Sequence, residues 1–164
     1  MAAAAARPKD DIRSIDANDL ERVVAIDRAH SGYSRRRFFE KRFASAAAQP
    51  DDFVQIGLTS GGVLLGFAIA RLLRGEFGRD KVVAVLDVLG VEPESRDRGL
   101  GQSLIERLVE IAKQKEVHSL HSRASWANHQ MLRFFDASGF RLSPRLVLER
   151  SVANPMIESA EESL

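Results

Sequence analysis

One segment of the chain has the residue types and spacing of a phosphate-binding loop: Arg96, Asp97, Arg98, Gly99, Leu100, Gly101 and Gln102. It lies between an apolar stretch and an amphipathic pattern, so it joins a buried strand to the start of a helix. Glycine lets a backbone approach a ligand closely, and free N–H groups at a helix start favour an anion. We therefore expect a pyrophosphate site here, although glycines alone also suit an ordinary turn.

Two other phosphate-binding motifs do not fit this segment. A dinucleotide fingerprint would need a glycine at the position of Leu104. A P-loop would need Gly-Lys followed by Ser or Thr, and the segment has neither that lysine nor that hydroxyl. The nucleotide-binding classes that use these motifs are therefore not predicted.

A single carboxylate, Asp87, interrupts the apolar stretch 82–89. An unpaired charge is costly inside a strand, so this position needs a reason. Asp87 is either a catalytic base, an ion-pair partner or a residue on a partly exposed strand face. The sequence leaves these alternatives open.

Hydrophobic periodicity predicts the elements that must position these residues. The predicted strands are residues 12–15, 53–59, 63–73, 82–91, 117–122 and 142–152. The predicted helices follow the cap residues 16–19 up to residue 29, and then cover residues 35–48, 99–115 and 128–138. Gly61 and Gly62 suit a tight hairpin between the second and third strands. This order predicts an α/β (α+β) fold with a mixed sheet covered by helices on both faces.

Length and composition limit the function classes. The 164 residues fit one domain over 1–152, with residues 1–9 expected to be disordered and 153–164 forming an acidic tail. A net charge of +1 gives no support to nucleic-acid binding, and no apolar run is long enough to cross a membrane. The chain has no cysteine, so an acyl-cysteine intermediate is excluded. We expect a cytoplasmic protein that uses no metal, since His118 and His121 would face opposite sides of a strand.

Two halves of the sequence together resemble the acetyl-CoA motif of the GNAT acetyltransferases. The first half is Leu89-Gly90-Val91-Glu92-Pro93 followed by Arg96 to Gly101, and the second half is Asn128 with Met131, Phe134, Phe135, Gly139 and Phe140. The resemblance is specific over residues 82–140. It implies the GNAT fold, in which a mostly antiparallel sheet of six to seven strands is splayed between the fourth and fifth strands.

The resemblance also assigns residues to the cosubstrate acetyl-CoA. Leu89, Gly90 and Val91 would accompany the pantetheine arm, with hydrogen bonds from the backbone of Leu89 and Val91. The amides from Arg96 through Gln102 would hold the pyrophosphate. Asn128 and Phe135 would contact the CoA arm from the facing side, although Asn128 could also serve only as a helix cap.

For catalysis, the resemblance makes Asp87 the base that removes the amine proton, directly or through water, with Glu92 a weaker candidate. Phe135 stands where many family members have a tyrosine that protonates the departing thiolate, so that acid is absent. Tyr33, the only tyrosine, could be an acid or contact the acceptor, but we expect it to pack against the domain, and the same holds for Trp126.

The sequence therefore predicts an N-acetyltransferase that moves an acetyl group from acetyl-CoA directly to an amine in a ternary complex. The acceptor is an amine of a small molecule, peptide or protein, with Arg28, His30, Tyr33 and the last strand expected near it. The alternative is a non-catalytic acyl-CoA sensor or interaction module with the same fold. A homodimer is common for this fold.

Overall fold

The computed structural model describes residues 10–74, 81–145, 147–150 and 152. Within these residues the strands are β1 (Asp10–Ser14), β2 (Phe53–Ser60), β3 (Val63–Leu73), β4 (Val83–Val91) and β5 (Ser119–His121). The α-helices in the same ranges are α1 (Leu20–Ser31), α2 (Arg36–Ala48), α3 (Leu100–Gln114) and α4 (His129–Ala137). Each lies within a few residues of a predicted element.

The five strands form one sheet in the order β1-β2-β3-β4-β5. The strands β1 to β4 pair with one another antiparallel, and β5 is parallel to β4. Gly61 and Gly62 make the β2–β3 hairpin with φ angles of 58° and 83°, a region that glycine enters without steric cost. The hairpin prediction is confirmed.

Helices cover both faces of the sheet. On one face, α1 and α2 bury Val23, Ile26, Phe39 and Phe43 against a cluster that includes Phe67, whose ring meets that of Phe39 edge to face at 5.7 Å. On the other face, α3 buries an apolar stripe against the sheet: Leu100, Leu104, Ile105 and Leu108. This packing explains the helical spacing of the apolar residues from which α3 was predicted.

The sheet opens between β4 and β5. The two strands pair over Val83, Ala84 and Val85 of β4, which lie opposite the three residues of β5. Beyond these positions β4 continues to Val91, while β5 ends at His121. Along this part of β4 no described residue forms a neighbouring strand on the β5 side. The predicted splay and fold class are confirmed.

A β-bulge lies at the centre of β4. Ile69 of β3 faces Val88, but the next residue, Ala70, faces Leu86, so no residue of β3 lies directly opposite Asp87 in the strand register. The extra residue shifts the side-chain alternation, because Leu86 belongs to the core under α3 whereas Val88 belongs to the core under α1 and α2. The apolar pattern of residues 82–91 gives no sign of this bulge.

The predicted sixth strand, residues 142–152, is wrong for the residues that the structure describes. None of them is in a strand, and Leu142, Val147, Leu148 and Val152 are 70% to 99% exposed. Pro144 has no N–H to donate, and β5 has only three residues with which another strand could pair. The described part of the sheet therefore has five strands instead of six to seven. The predictions for residues 1–9 and 153–164 lie outside the described residues.

Candidate active site

The open side of β4 presents backbone groups that no strand pairs with. The amide of Glu92 donates to the Leu65 carbonyl on β3 at 2.7 Å. Backbone groups of successive residues in a strand point to opposite sides, so the N–H and C=O groups of Val91 and Leu89 point away from β3. These are the two residues that the sequence analysis placed beside the pantetheine arm, and an extended ligand can pair with them as a strand would.

A cavity of about 180 Å³ lies beside this open side. β4 contributes Leu86 to Leu89, the segment after β5 contributes Ser122 and Arg123, α4 contributes Met131 and Phe135, and Arg35 completes the lining. Asp87, Leu89 and Phe135, which are distant in sequence, therefore meet at one cavity. The splay creates this space, since a paired β5 would occupy it.

The loop before α3 has the backbone conformation of an anion site. Gly99 caps the helix with a φ of 76°, and a Cβ built there would meet no protein atom within 4 Å. Asp97 also has a positive φ, 62°. The first N–H groups of a helix have no intrahelical acceptor, so those of α3 are available to a phosphate. Arg98 lies close to Asp10, with 3.5 Å between Nη2 and Oδ1.

Several predicted cofactor-binding residues also have packing roles. Leu100 is 4% exposed and belongs to the core, so only its backbone can face a ligand. A Cβ at Gly101 would lie 3.1 Å from the Phe134 ring, and one at Gly90 would lie 2.7 Å from the Phe67 ring. These two glycines therefore allow close packing of protein on protein, whereas the space beside Gly99 is open.

The side chain of Asp87 is 9% exposed and forms ion pairs with two arginines. Arg71 on β3 donates to both carboxylate oxygens, at 2.7 Å and 3.0 Å. Arg42 on α2 lies 3.1 Å from Oδ2. The ion-pair interpretation of Asp87 is thus present in the structure, while its role as a base stays a prediction. Asp87 is nevertheless one of the residues that line the cavity.

α4 positions the two residues expected on the facing side of the CoA arm. Asn128 caps this helix, because its Oδ1 accepts from the Met131 amide at 3.0 Å. Its amide group is not used by that cap, so the capping role leaves a donor for a ligand. The Phe135 ring lies between those of Phe134 and Phe140, with centroids 5.7 Å and 4.8 Å away, and borders the cavity. It is not sealed in the core.

Two aromatic residues lie where the sequence analysis did not expect them. Tyr33 is 62% exposed and Trp126 is 82% exposed, so the prediction that both pack against the domain is wrong. Tyr33 follows Gly32, which ends α1 in a left-handed conformation, and the chain there contributes the Tyr33 carbonyl to a bond from Ser31 Oγ at 2.8 Å. The backbone is held, and the phenol is left in solvent.

Arg35, the residue before α2, pairs with a carboxylate of α1. Arg35 donates through Nε to Asp27 at 2.9 Å, and through Nη2 to the second oxygen of the same carboxylate. Asp27 is 4% exposed, on the face of α1 that carries Val23 and Ile26. A carboxylate on an apolar helix face was the sequence signal that could have found this pair. Arg35 is thereby held at the cavity.

His30 contacts the end of β4 and the loop before α3, and its expected place near the acceptor stays a prediction. Its Nε2 lies 2.5 Å from the Val91 carbonyl oxygen, which leaves the Val91 amide for a ligand, and its Nδ1 lies 2.5 Å from Nη2 of Arg96. Arg22, earlier on the same helix, pairs with Glu92 at 2.5 Å. Sequence spacing gave no sign of these contacts, since each joins residues that are far apart along the chain.

The described residues contain no helix long and apolar enough to cross a membrane. In those same ranges no three His, Cys, Asp or Glu side chains are grouped so that they could hold a metal ion.

Comparison with solved structures shows the same fold. An aminoglycoside N-acetyltransferase, AAC(6')-Iy, in complex with CoA has a TM-score of 0.77 and 22% identity, covering 92% of this chain and 99% of that one. The ribosomal-protein-S18-alanine N-acetyltransferase from Escherichia coli has a TM-score of 0.68 and 23% identity, covering 82% and 79%.

Sequence comparison gives the family. The [ribosomal protein bS18]-alanine N-acetyltransferase of Escherichia coli K12 is 28% identical over 130 residues, which are 79% of either chain. The model of the acetyltransferase (GNAT) family matches residues 17–140, from the turn before α1 to the end of the second half of the motif. This chain therefore belongs to the GNAT acetyltransferase family.

Proposed function

We propose that this acetyltransferase moves the acetyl group of acetyl-CoA directly to a primary amine while both substrates are bound. The observation that carries the proposal is the unpaired part of β4 that leads into the loop before α3. An extended pantetheine arm fits the backbone groups of Leu89 and Val91, and a pyrophosphate fits the space beside Gly99. The cavity lies at the end of this track that is nearer β5.

The reaction requires a neutral amine. An amine with a pKa near 10 is only about 0.1% neutral at pH 7, a handicap of roughly 4 kcal/mol. We assign the proton removal to Asp87, directly or through water, because it is the one carboxylate among the residues that line the cavity. The amine nitrogen then attacks the thioester carbonyl, the C–N bond forms, and a backbone N–H near Leu89 stabilises the oxyanion.

The second half of the reaction breaks the C–S bond and releases the thiolate. Phe135 carries no proton to donate, so the thiolate leaves unaided or takes a proton from water or from the ammonium just formed. A thiol pKa near 8.5 makes this departure easier than that of an alkoxide. The acetyl group ends on nitrogen, the first amine proton ends on Asp87, and the second goes to the departing thiolate or to water.

For the acceptor we propose the amine of a polypeptide in preference to an aminoglycoside. The curated relatives at 28% identity are named for acting on an alanine of ribosomal protein bS18. The aminoglycoside enzyme shares the fold at 22% identity. The lining of the cavity includes Arg123, and its one acid, Asp87, already pairs with Arg71 and Arg42. A polycationic acceptor would therefore meet no unpaired carboxylate among the residues that line the cavity.

Labelled acetyl-CoA tests the proposal against a panel of acceptors. The panel holds a peptide with a free N-terminal alanine, its N-terminally blocked counterpart containing lysine, and an aminoglycoside, with products identified by mass spectrometry. We expect the free peptide to gain one acetyl group fastest. Acetyl-CoA binding without acetylation of any acceptor would instead favour a non-catalytic acyl-CoA-binding module.

A further inference from the structure

His30 connects α1 to the end of β4 and to the loop before α3. Its Nε2 lies 2.5 Å from the Val91 carbonyl oxygen on β4, and its Nδ1 lies 2.5 Å from Nη2 of Arg96 in the loop. A carbonyl only accepts and a guanidinium only donates, so the ring must carry its proton on Nε2 and a lone pair on Nδ1. One neutral tautomer satisfies both contacts.

α1 is fixed against the end of β4, so the imidazole has a defined position. Arg22 donates through Nε to the Leu64 carbonyl at 2.8 Å and pairs with Glu92 at 2.5 Å. Ile26 packs beside Gly90, where a built Cβ would lie 3.3 Å from its Cγ2 atom. Two successive turns of α1, at Arg22 and Ile26, are therefore fixed by contacts with the sheet, and His30 lies on the next turn.

Arg96 contacts an imidazole, whereas two other arginines of this region contact carboxylates. Arg98 faces the carboxylate of Asp10, and Arg22 faces that of Glu92. Among the described residues, Arg96 has no ion pair with a carboxylate. An imidazole lone pair orients a guanidinium without neutralising it, so the full positive charge stays available to an anion.

We infer that His30 is a positioning residue that holds the Arg96 guanidinium where the pyrophosphate of CoA binds. The inference rests on the proposed function, because it takes the loop before α3 as the CoA site. It assigns to α1 a direct part in cosubstrate affinity. A wrongly placed Arg96 would lose a charge-assisted bond to the phosphate oxygens.

Calorimetry with CoA, and NMR titration with pantetheine, separate this role from a general structural one. His30→Ala should weaken CoA binding about tenfold, which corresponds to one charge-assisted hydrogen bond. It should leave pantetheine binding unchanged, because pantetheine has no phosphate for Arg96 to contact. His118→Ala, at an exposed histidine before β5, is the matched control and should change neither affinity.

A conservative variant and a double variant complete the test. The glutamine side chain also offers one donor and one acceptor, so His30→Gln should recover most of the CoA affinity. Adding His30→Ala to Arg96→Ala should cause no further loss. An equal loss for CoA and pantetheine, or additive losses in the double variant, would overturn the inference. A parent protein that fails to bind CoA would instead refute the proposed function.

Discussion

Replacing Asp87 by asparagine separates the two roles that this carboxylate can have. The side chain is 9% exposed, borders the cavity and accepts hydrogen bonds from Arg71 at 2.7 Å and 3.0 Å. Asparagine has nearly the same shape and keeps one acceptor oxygen for Arg71, but it has no charge and cannot take a proton. The two roles therefore predict different effects: loss of a base lowers kcat, and loss of an ion-pair anchor lowers stability.

The ion pairs set the expected loss of stability. Breaking a fully buried pair costs about 3 to 5 kcal/mol, because the partner charge is left unpaired. Here the side chains of Arg71 and Arg42 are 30% and 21% exposed, so water solvates them in part. We expect a loss of about 2 kcal/mol, which lowers the melting temperature of a chain of this size by about 4 to 8 °C.

The catalytic role sets a separate loss of rate. If Asp87 is the base, Asp87→Asn should lower kcat by about 10² to 10⁴ and leave the affinity for acetyl-CoA unchanged. The deficit should shrink at high pH, where the amine is already neutral. We expect both losses, and steady-state kinetics over a pH series with a thermal melt measures them.

Two control variants separate these effects. Arg42→Gln removes an ion pair of Asp87 but keeps the carboxylate, so it should lower the melting temperature and largely spare kcat. Asp52→Asn removes an exposed contact of 3.6 Å to Arg74 and should change neither quantity. A kcat for Asp87→Asn within tenfold of the parent, or a deficit that stays constant up to about pH 10, would show that Asp87 is only an ion-pair anchor.

Three further variants test other parts of the structure. Gly101→Asp should weaken acetyl-CoA binding by at least about tenfold in calorimetry, because it adds a negative charge at the start of α3; Gly101→Ala, which meets the same Phe134 ring, controls for packing. Phe135→Tyr should give a kcat equal to or above that of the parent, since the ring borders the cavity; a lower melting temperature without a gain in rate would contradict this. Asp19→Asn should cost about 0.2 to 1 kcal/mol at neutral pH, because it removes the ion pair with the partly exposed Arg13. The hydrogen bond from Arg13 holds the pKa of Asp19 below its ordinary value, so this stabilisation is lost as the pH falls through that lowered pKa, and the melting curves of parent and variant should converge in strong acid.

Local patterns were sufficient for most elements. β3 has the predicted bounds, residues 63–73, because an apolar run between two turn signals leaves few alternatives. α3 begins one residue after the predicted start, since its apolar stripe repeats at helical spacing. The last strand failed because alternation alone does not supply a partner, and β5 has only three residues.

The sequence by itself determined the loop before α3, since the glycines, the preceding strand and the following helix are all local features. It also determined the family, because both halves of the motif lie within residues 82–140. Only the tertiary structure decided what each polar side chain contacts. The bulge that turns Asp87 toward Arg71 depends on pairing with β3, and the contact of His30 with Arg96 spans 66 residues. Such contacts depend on how the sheet and the helices pack, so they cannot be predicted from the spacing of residues along the chain.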